Sequence, residues 1–285
     1  MLFFLNSDVN VSTAQYSSVN TDITIVNPTN TSNSINLAVN VTITVINATN
    51  TRTTISDPRN STITILNPTN AVNVIINPEN VDITVANPVD TGNTIIRVKN
   101  TTISITKPTR SSNIIRKVES TTITITDPMN TNNSISYTKA NSAIAIINAT
   151  NTANNIRHLT NSVVTIANPV NTGNDISALT DATVTITDPV NTRNVMKKLK
   201  YTTVYITNPI DSTITIGYPI NSTINVINPL NTVITVTDEN ITIPTNDTDS
   251  FRIERNTVIN IIITNETAST TTESIYANVT GSFLQ

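Results

Sequence analysis

The chain has 285 residues, a net charge of -3, 4% aromatics, no Trp, no Cys and four Gly. Without cysteine there is no disulfide framework and no thiolate metal site, and a nearly balanced charge gives no strong pull toward nucleic acid or an anionic membrane. Asn, Thr, Ile and Val dominate, a strand-forming composition with too few large side chains for a thick globular core, while the regular spacing of the β-branched residues argues against disorder.

The first five residues, Met1-Leu2-Phe3-Phe4-Leu5, are apolar, but they lack basic residues and turn polar at Asn6. This is too short for a signal-peptide core or a membrane span. Residues 1–20 scan poorly with the rest of the chain and are expected to form an irregular first turn or cap. From 21 to 245 the chain repeats with a period of twenty. Its clearest copy is Ser61 to Asn80, STITILNPTNAVNVIINPEN, in which Ile65-Leu66-Asn67-Pro68-Thr69-Asn70 is answered ten residues later by Ile75-Ile76-Asn77-Pro78-Glu79-Asn80. The unit therefore has two related halves.

Three apolar columns run through the repeat. One holds Ile23, Ile43, Ile63, Ile83, Ile103 and Ile123; two residues on stand Ile25, Val45, Ile65, Val85, Ile105 and Ile125; ten further on stand Ile35, Ile55, Ile75, Ile95, Ile115 and Ile135. One residue is inserted between Lys139 and Ser142, after which the columns resume at Ile144 and Ile146. Alternation such as Thr62-Ile63-Thr64-Ile65 has the period of a strand with one face inward, and the prolines at 28, 68, 88, 108, 128, 169, 189 and 209 end each strand because proline donates nothing to a ladder. Stacked twenty-residue units of short strands without helix predict an all-β fold, a parallel β-solenoid. About eleven coils at roughly 4.8 Å each make a rod on the order of 50 Å long.

Asparagine takes the place of glycine. After Gly it is the residue that best tolerates the left-handed backbone a turn requires, and Asn30, Asn50, Asn70, Asn130, Asn151, Asn171 and Asn191 form a turn column just past the proline. A second column, Asn33, Asn73, Asn93, Asn113, Asn133, Asn154, Asn174 and Asn194, precedes the third row of Ile, and stacked in register both columns are expected to form amide ladders along the axis. From Thr203 both halves of the unit converge on one ten-residue pattern. After Pro244 the repeat dissolves, and 246–285 is expected to be a capping or assembly segment. Its apolar strand, Val258, Ile259, Ile261, Ile262 and Ile263, either folds over the last coil or reaches into the next subunit, because an open solenoid end exposes unpaired edges.

No constellation announces a reaction. The lone histidine, His158, reads as an ordinary exposed residue beside Arg157, and Asp57, Asp90, Asp127, Asp188 and Asp211 are scattered among turn positions. No phosphate loop or nucleophile elbow is present, so neither an enzyme nor a cofactor is expected. Asn-x-Ser/Thr triplets, such as those at Asn60 and Asn221, are what this much Asn and Thr supplies by chance.

Two surface arrays invite a functional reading. Thr42/Thr44, Thr62/Thr64, Thr122/Thr124 and Thr183/Thr185 point outward from the first strand and resemble the Thr-x-Thr ice-binding faces of antifreeze β-solenoids; Asp22, Asp82, Ala143/Ala145, Val163 and Tyr205 interrupt them. A basic stripe on the other half of the coils, Arg97, Arg116, Lys117, Arg157, Lys197 and Lys198, is either a polyanion contact or a solvated face that prevents lateral aggregation. As a whole the chain is similar to the β-helical shafts of viral and phage fibres and of bacterial adhesins. The alternation of Ile65, Asn70, Ile75 and Asn80 at five-residue steps is also compatible with a four-sided coil like that of pentapeptide-repeat proteins. This resemblance implies a non-catalytic rod that joins head to tail into a filament, fibre or appendage, outside the cell, at its surface or on a virion. Its partners would be copies of itself and a glycan or particle surface, with no nucleic acid and no membrane span. Ice or crystal binding, or a tail-spike-like glycan adhesin, are the alternatives.

Overall fold

Alternation places Ile63 and Ile65 on one face of a strand and Thr62 and Thr64 on the other, and Ile83 and Val85 repeat the pattern one coil later. In the computed structural model, which describes residues 3–6, 14–237 and 258–262, these strands pair in parallel, Ile63 with Ile83 and Ile65 with Val85. Further along, Ile103 pairs with Ile123 and Ile105 with Ile125. The chain is a parallel β-solenoid of about eleven coils with about 20 residues in each. Among the described residues no helix is long and apolar enough to cross a membrane.

Each coil turns at four corners. Between Val81 and Asn100 these are Asn87, Asp90, Arg97 and Asn100, all left-handed, with φ of 51°, 53°, 60° and 47°. The spacing is three and seven residues in alternation, so the coil has two long sides that carry strands and two short sides. The even five-residue steps of the sequence reading are thus replaced by an elongated four-cornered loop. Asn fills most corners because its short polar side chain relieves the cost of the left-handed region, and it also bonds to the coil beneath. Asn47, Asn67 and Asn87 each donate Nδ2 to Oδ1 of the corner residue one coil earlier, at 3.0, 3.1 and 3.0 Å.

The interior is a stack of Ile and Val. Ile35, Ile43, Ile55, Ile63, Ile65, Ile105 and Ile125 are wholly buried, each contributing roughly 1.5–3 kcal/mol over an exposed position. Buried Ser and Thr follow the corners, and several are satisfied locally: Ser61 Oγ donates to the Arg59 carbonyl at 2.7 Å and Thr101 Oγ1 to that of Lys99 at 2.8 Å, whereas the hydroxyl of Thr51 has no partner. The second Asn column is also buried. Asn73, Asn93, Asn113, Asn133 and Asn154 each donate to the amide oxygen one coil later, and Asn174 to Asn194, at 2.7–2.9 Å. This ladder runs opposite in polarity to the corner ladder. Thr53 interrupts it below, leaving the buried Oδ1 of Asn73 without a partner, and Ile214 replaces it above.

The inserted residue sits at a corner. Ala140 and Asn141 are both left-handed, and the register steps from twenty to twenty-one as Thr122 pairs with Ala143 without disturbing a strand. Within residues 1–20, Phe3–Asn6 pairs with Ile23–Val26 at the twenty-residue register, and Ala14–Val19 lies along Ser32–Val39 with one shift. The solenoid pairing therefore extends into the segment expected to be a cap. At the other end Val233–Thr237 stacks on Thr213–Ile220, and Val258–Ile262 lies on Thr223–Ile227, Ile259 against Ile224 and Ile261 against Val226. The apolar C-terminal strand thus lies along a strand of its own chain. Ile263 lies outside the described residues.

Candidate functional site

The two short sides share a backbone and differ in sequence. On one, Asn67-Pro68-Thr69-Asn70 and Asn168-Pro169-Val170-Asn171 typify a column in which most members keep Asn or Asp at both corners and Pro between. On the other, the first corner is in turn Leu37, Asp57, Asn77, Arg97, Lys117, Tyr137, His158, Ala178, Lys198 and Tyr218, every one left-handed. Eight of these ten are neither Asn nor Asp. A non-Asn side chain in this region costs about 1 kcal/mol or more, so this column has exchanged intrinsic turn preference for side-chain variety. The strain persists because flanking coils fix the backbone: Lys99 N donates to the Pro78 carbonyl at 3.0 Å, as Val89 N does to that of Pro68 at 2.9 Å on the opposite side.

The variety is not random in space. Tyr137 and His158 stack face to face across neighbouring coils, ring centres 4.7 Å apart and planes within 8°. Below the stack a depression of about 360 Å³ is lined by Lys117, Val118, Glu119, Tyr137 and Lys139. Beside it another of about 330 Å³ is lined by Arg116, Ser134, Ser136, Asn155 and Arg157 together with the two rings, and the side-chain oxygen of Asn155 is buried without a partner. Above it a third, of about 590 Å³, runs from His158 past Ala178 and Lys198 to Tyr218, with Leu179 and Leu199 behind and Lys139, Thr160, Thr180 and Lys200 along its edge. The three concavities meet at Tyr137.

Part of the basic stripe lies here. Arg116, Lys117, Arg157 and Lys198 each line one of these depressions. Arg157 is paired with Asp175 at 3.2 Å, and Arg97 donates to Asn77 Oδ1 at 3.4 Å. Lys197 stands next to Lys198, exposed, on the adjoining long side. His158 is exposed, as expected, yet it is half of an aromatic stack, which the sequence reading missed along with Tyr137, Lys139, Ala178, Lys200 and Tyr218. The available signal was the loss of Asn from a corner column.

The acids of the turns sit at corners and only accept. Asp57, Asp127, Asp188 and Asp211 receive amides from Asn77, Asn148, Asn208 and Asn231 one coil later, at 2.7, 2.9, 2.9 and 3.2 Å. A carboxylate has no proton to pass to the coil beneath, so each begins a ladder. Asp90 meets Arg110 through two hydrogen bonds of 2.7 Å; the bond holds its carboxyl below the ordinary range and raises the guanidinium, with Coulomb attraction adding to it. Among the described residues no three His, Asp or Glu gather closely enough to hold a metal ion.

The Thr pairs lie on the opposite long side. Thr42, Thr62 and Thr122 are exposed, while Thr44, Thr64, Thr124, Thr183 and Thr185 are half-buried. Thr42 aligns with Thr62 and Thr44 with Thr64, but Asp82 follows; Thr122 and Thr124 are followed by Ala143 and Ala145, and Thr185 by Tyr205. The paired-Thr array is therefore no more than two coils deep before it is broken. Compared with known proteins, the chain matches no family model, no curated protein and no solved structure.

Proposed function

We propose that the protein is a rigid, non-catalytic rod that joins head to tail as the subunit of a filament, fibre or surface appendage outside the cell. The observation that supports this is the continuity of parallel strand pairing to both ends of the described stack. Phe3 and Leu5 stand beneath Ile23 and Ile25, and Ile259 and Ile261 stand above Ile224 and Val226. A strand of the same pattern at each end offers backbone donors and acceptors that another copy can extend, and a contact between unlike ends propagates instead of closing. Stacked coils with hydrogen-bonded ladders suit a load-bearing shaft, since each coil rests on its neighbours along the whole length.

The test is truncation from Phe251 onward, which removes Val258–Ile262 from the last coil. Static light scattering and negative-stain microscopy of full-length protein should show rods that lengthen with concentration, and the truncated protein should differ in assembly state. Equal, monomeric scattering from both at high concentration would eliminate the filament reading.

A further inference from the structure

At its first corner the variable side carries a ladder of large side chains with one rung missing. Tyr137 and His158 stack at 4.7 Å, about the spacing between coils, so the free face of His158 is turned toward the coil of Ala178, whose side chain ends at Cβ. The next side chain in the column is Lys198. Between His158 and Lys198, two coil spacings or roughly 10 Å apart, lies a slot one ring thick within the groove of about 590 Å³. Leu179 closes its back and Thr180 stands at its edge. A flat or partly apolar ring entering there continues the stack on His158 and gains the aromatic contact that Ala178 forgoes.

The groove lining carries three lysines and no carboxylate, Asp181 standing one residue beyond Thr180. Among the described residues neither Lys139 nor Lys198 has a carboxylate within salt-bridge distance, while Lys200 lies over the ring of Tyr201 at 5.2 Å. Along the groove edge Lys139 and Lys200 stand three coils apart, roughly 14 Å, with the hydroxyls of Thr160 and Thr180 between them. A nucleic acid strand presents a phosphate at every nucleotide and asks for a continuous cationic track with repeated aromatic platforms for successive bases. An acidic polysaccharide presents hydroxyls on every ring and a carboxylate on each ring or on alternate rings, which fits lysines interleaved with hydroxyls beside a single ring platform.

We propose that the short side from Tyr137 to Ile220 is a binding groove for a linear acidic polysaccharide, one sugar ring stacking on His158 in the Ala178 slot and its anionic group meeting Lys198. The groove runs along the rod axis, so the chain of sugars lies parallel to the stack of coils. The site is independent of how the rods join, since it occupies a flank and not an end.

The experiment uses the full-length protein in titration calorimetry with polygalacturonate, alginate and hyaluronate, with methyl-esterified polygalacturonate and oligo-deoxythymidine as contrasts. At least one acidic glycan should bind saturably and weaken with salt, more tightly than the neutral ester and the oligonucleotide. Ala178→Asn fills the slot with the residue the corner prefers, and His158→Asn removes the platform; each should weaken binding about tenfold or more while the melting temperature stays level or rises. Lys198→Gln should reduce both the affinity and its salt dependence. No binding to any of the three acidic glycans, tighter binding of the oligonucleotide, or an affinity indifferent to Ala178→Asn would each overturn the assignment.

Discussion

The two short sides of each coil are the same backbone written twice. Both turn at left-handed corners three residues apart, both bury the residue after the first corner, Pro88 on one side and Val98 on the other, and both bond to the coils above and below in the same way. On the Asn-Pro side the sequence agrees with this geometry at every level: proline fixes its own φ and loses nothing by lacking a donor, and Asn accepts the left-handed corner and bonds along the axis. On the other side Pro is confined to positions 58, 78 and 219, and the first corner holds Leu, Arg, Lys, Tyr, His or Ala in eight of ten coils, while the second corner is still mostly Asn. The difference teaches that stacking alone enforces the turn once neighbouring coils are in place, so local preference is needed on only part of the perimeter. The remainder is free for another task.

The core beneath both sides is common, so breaking it should erase the comparison altogether. Ile125 is wholly buried against Ile105 in the coil below and Ile146 in the coil above. Ile125→Asn places an unpaired amide there and should cost roughly 2–4 kcal/mol. Limited proteolysis should then cut near the middle of the chain. An unchanged melting temperature would mean that this column does not carry the stack.

A smaller effect is expected at the buried ladder, which sets one half of the coil apart from the other. Where the first half has Ile123, the second has Asn133, bonded at 2.8 Å to both Asn113 and Asn154. Asn133→Ile removes an acceptor from Asn113 and a donor from Asn154, and urea denaturation should show a loss of about 1–3 kcal/mol. Replacing all seven Asn from 73 to 194 with Ile should cost far less per site, because no half-bonded amide remains. Ile214 already occupies this column above Asn194. Equal cost per site in the single and the sevenfold variant would show that the ladder contributes more than the satisfaction of its own members.

Much of the architecture was legible because it rests on periodicity. The alternation of Thr62 to Ile65, the twenty-residue columns and the prolines left a parallel solenoid as the economical reading, and the buried Asn ladder came from register. The corner geometry was half legible. Asn70, after the proline, reads as a turn, but Asn67, before it, turns left-handed as well, and a pre-proline position signals only avoidance of the right-handed helix. Phe3 and Leu5 hid their register with Ile23 and Ile25 because neither is β-branched and no Asn-Pro succeeds them in step. The groove was not legible from charge alone. Tyr137, His158, Ala178 and Lys198 belong to different chemical classes and lie twenty or twenty-one residues apart across an insertion, so their adjacency exists only once the coils are stacked. Their common property in the sequence is negative: none is the Asn that the corner prefers.

That shared absence yields the finest test of the comparison, an exchange of corner residues between the two sides. Tyr137→Asn puts the favoured residue into a left-handed corner with φ of 61° and should stabilise by about 1 kcal/mol, a rise of roughly 2 °C in a thermal melt. Asn67→Tyr makes the reverse exchange at φ of 49° and also removes the middle rung of the Asn47–Asn67–Asn87 ladder. It should destabilise by more than the first variant gains, about 1–2 kcal/mol, since the strain of a ring at the corner adds to two lost amide bonds exposed to solvent. If Tyr137→Asn instead lowers the melting temperature, the stack with His158 contributes more to the fold than the corner costs it. The variety of that side would then be a packing solution, and the strain argument for a binding surface would lose its footing.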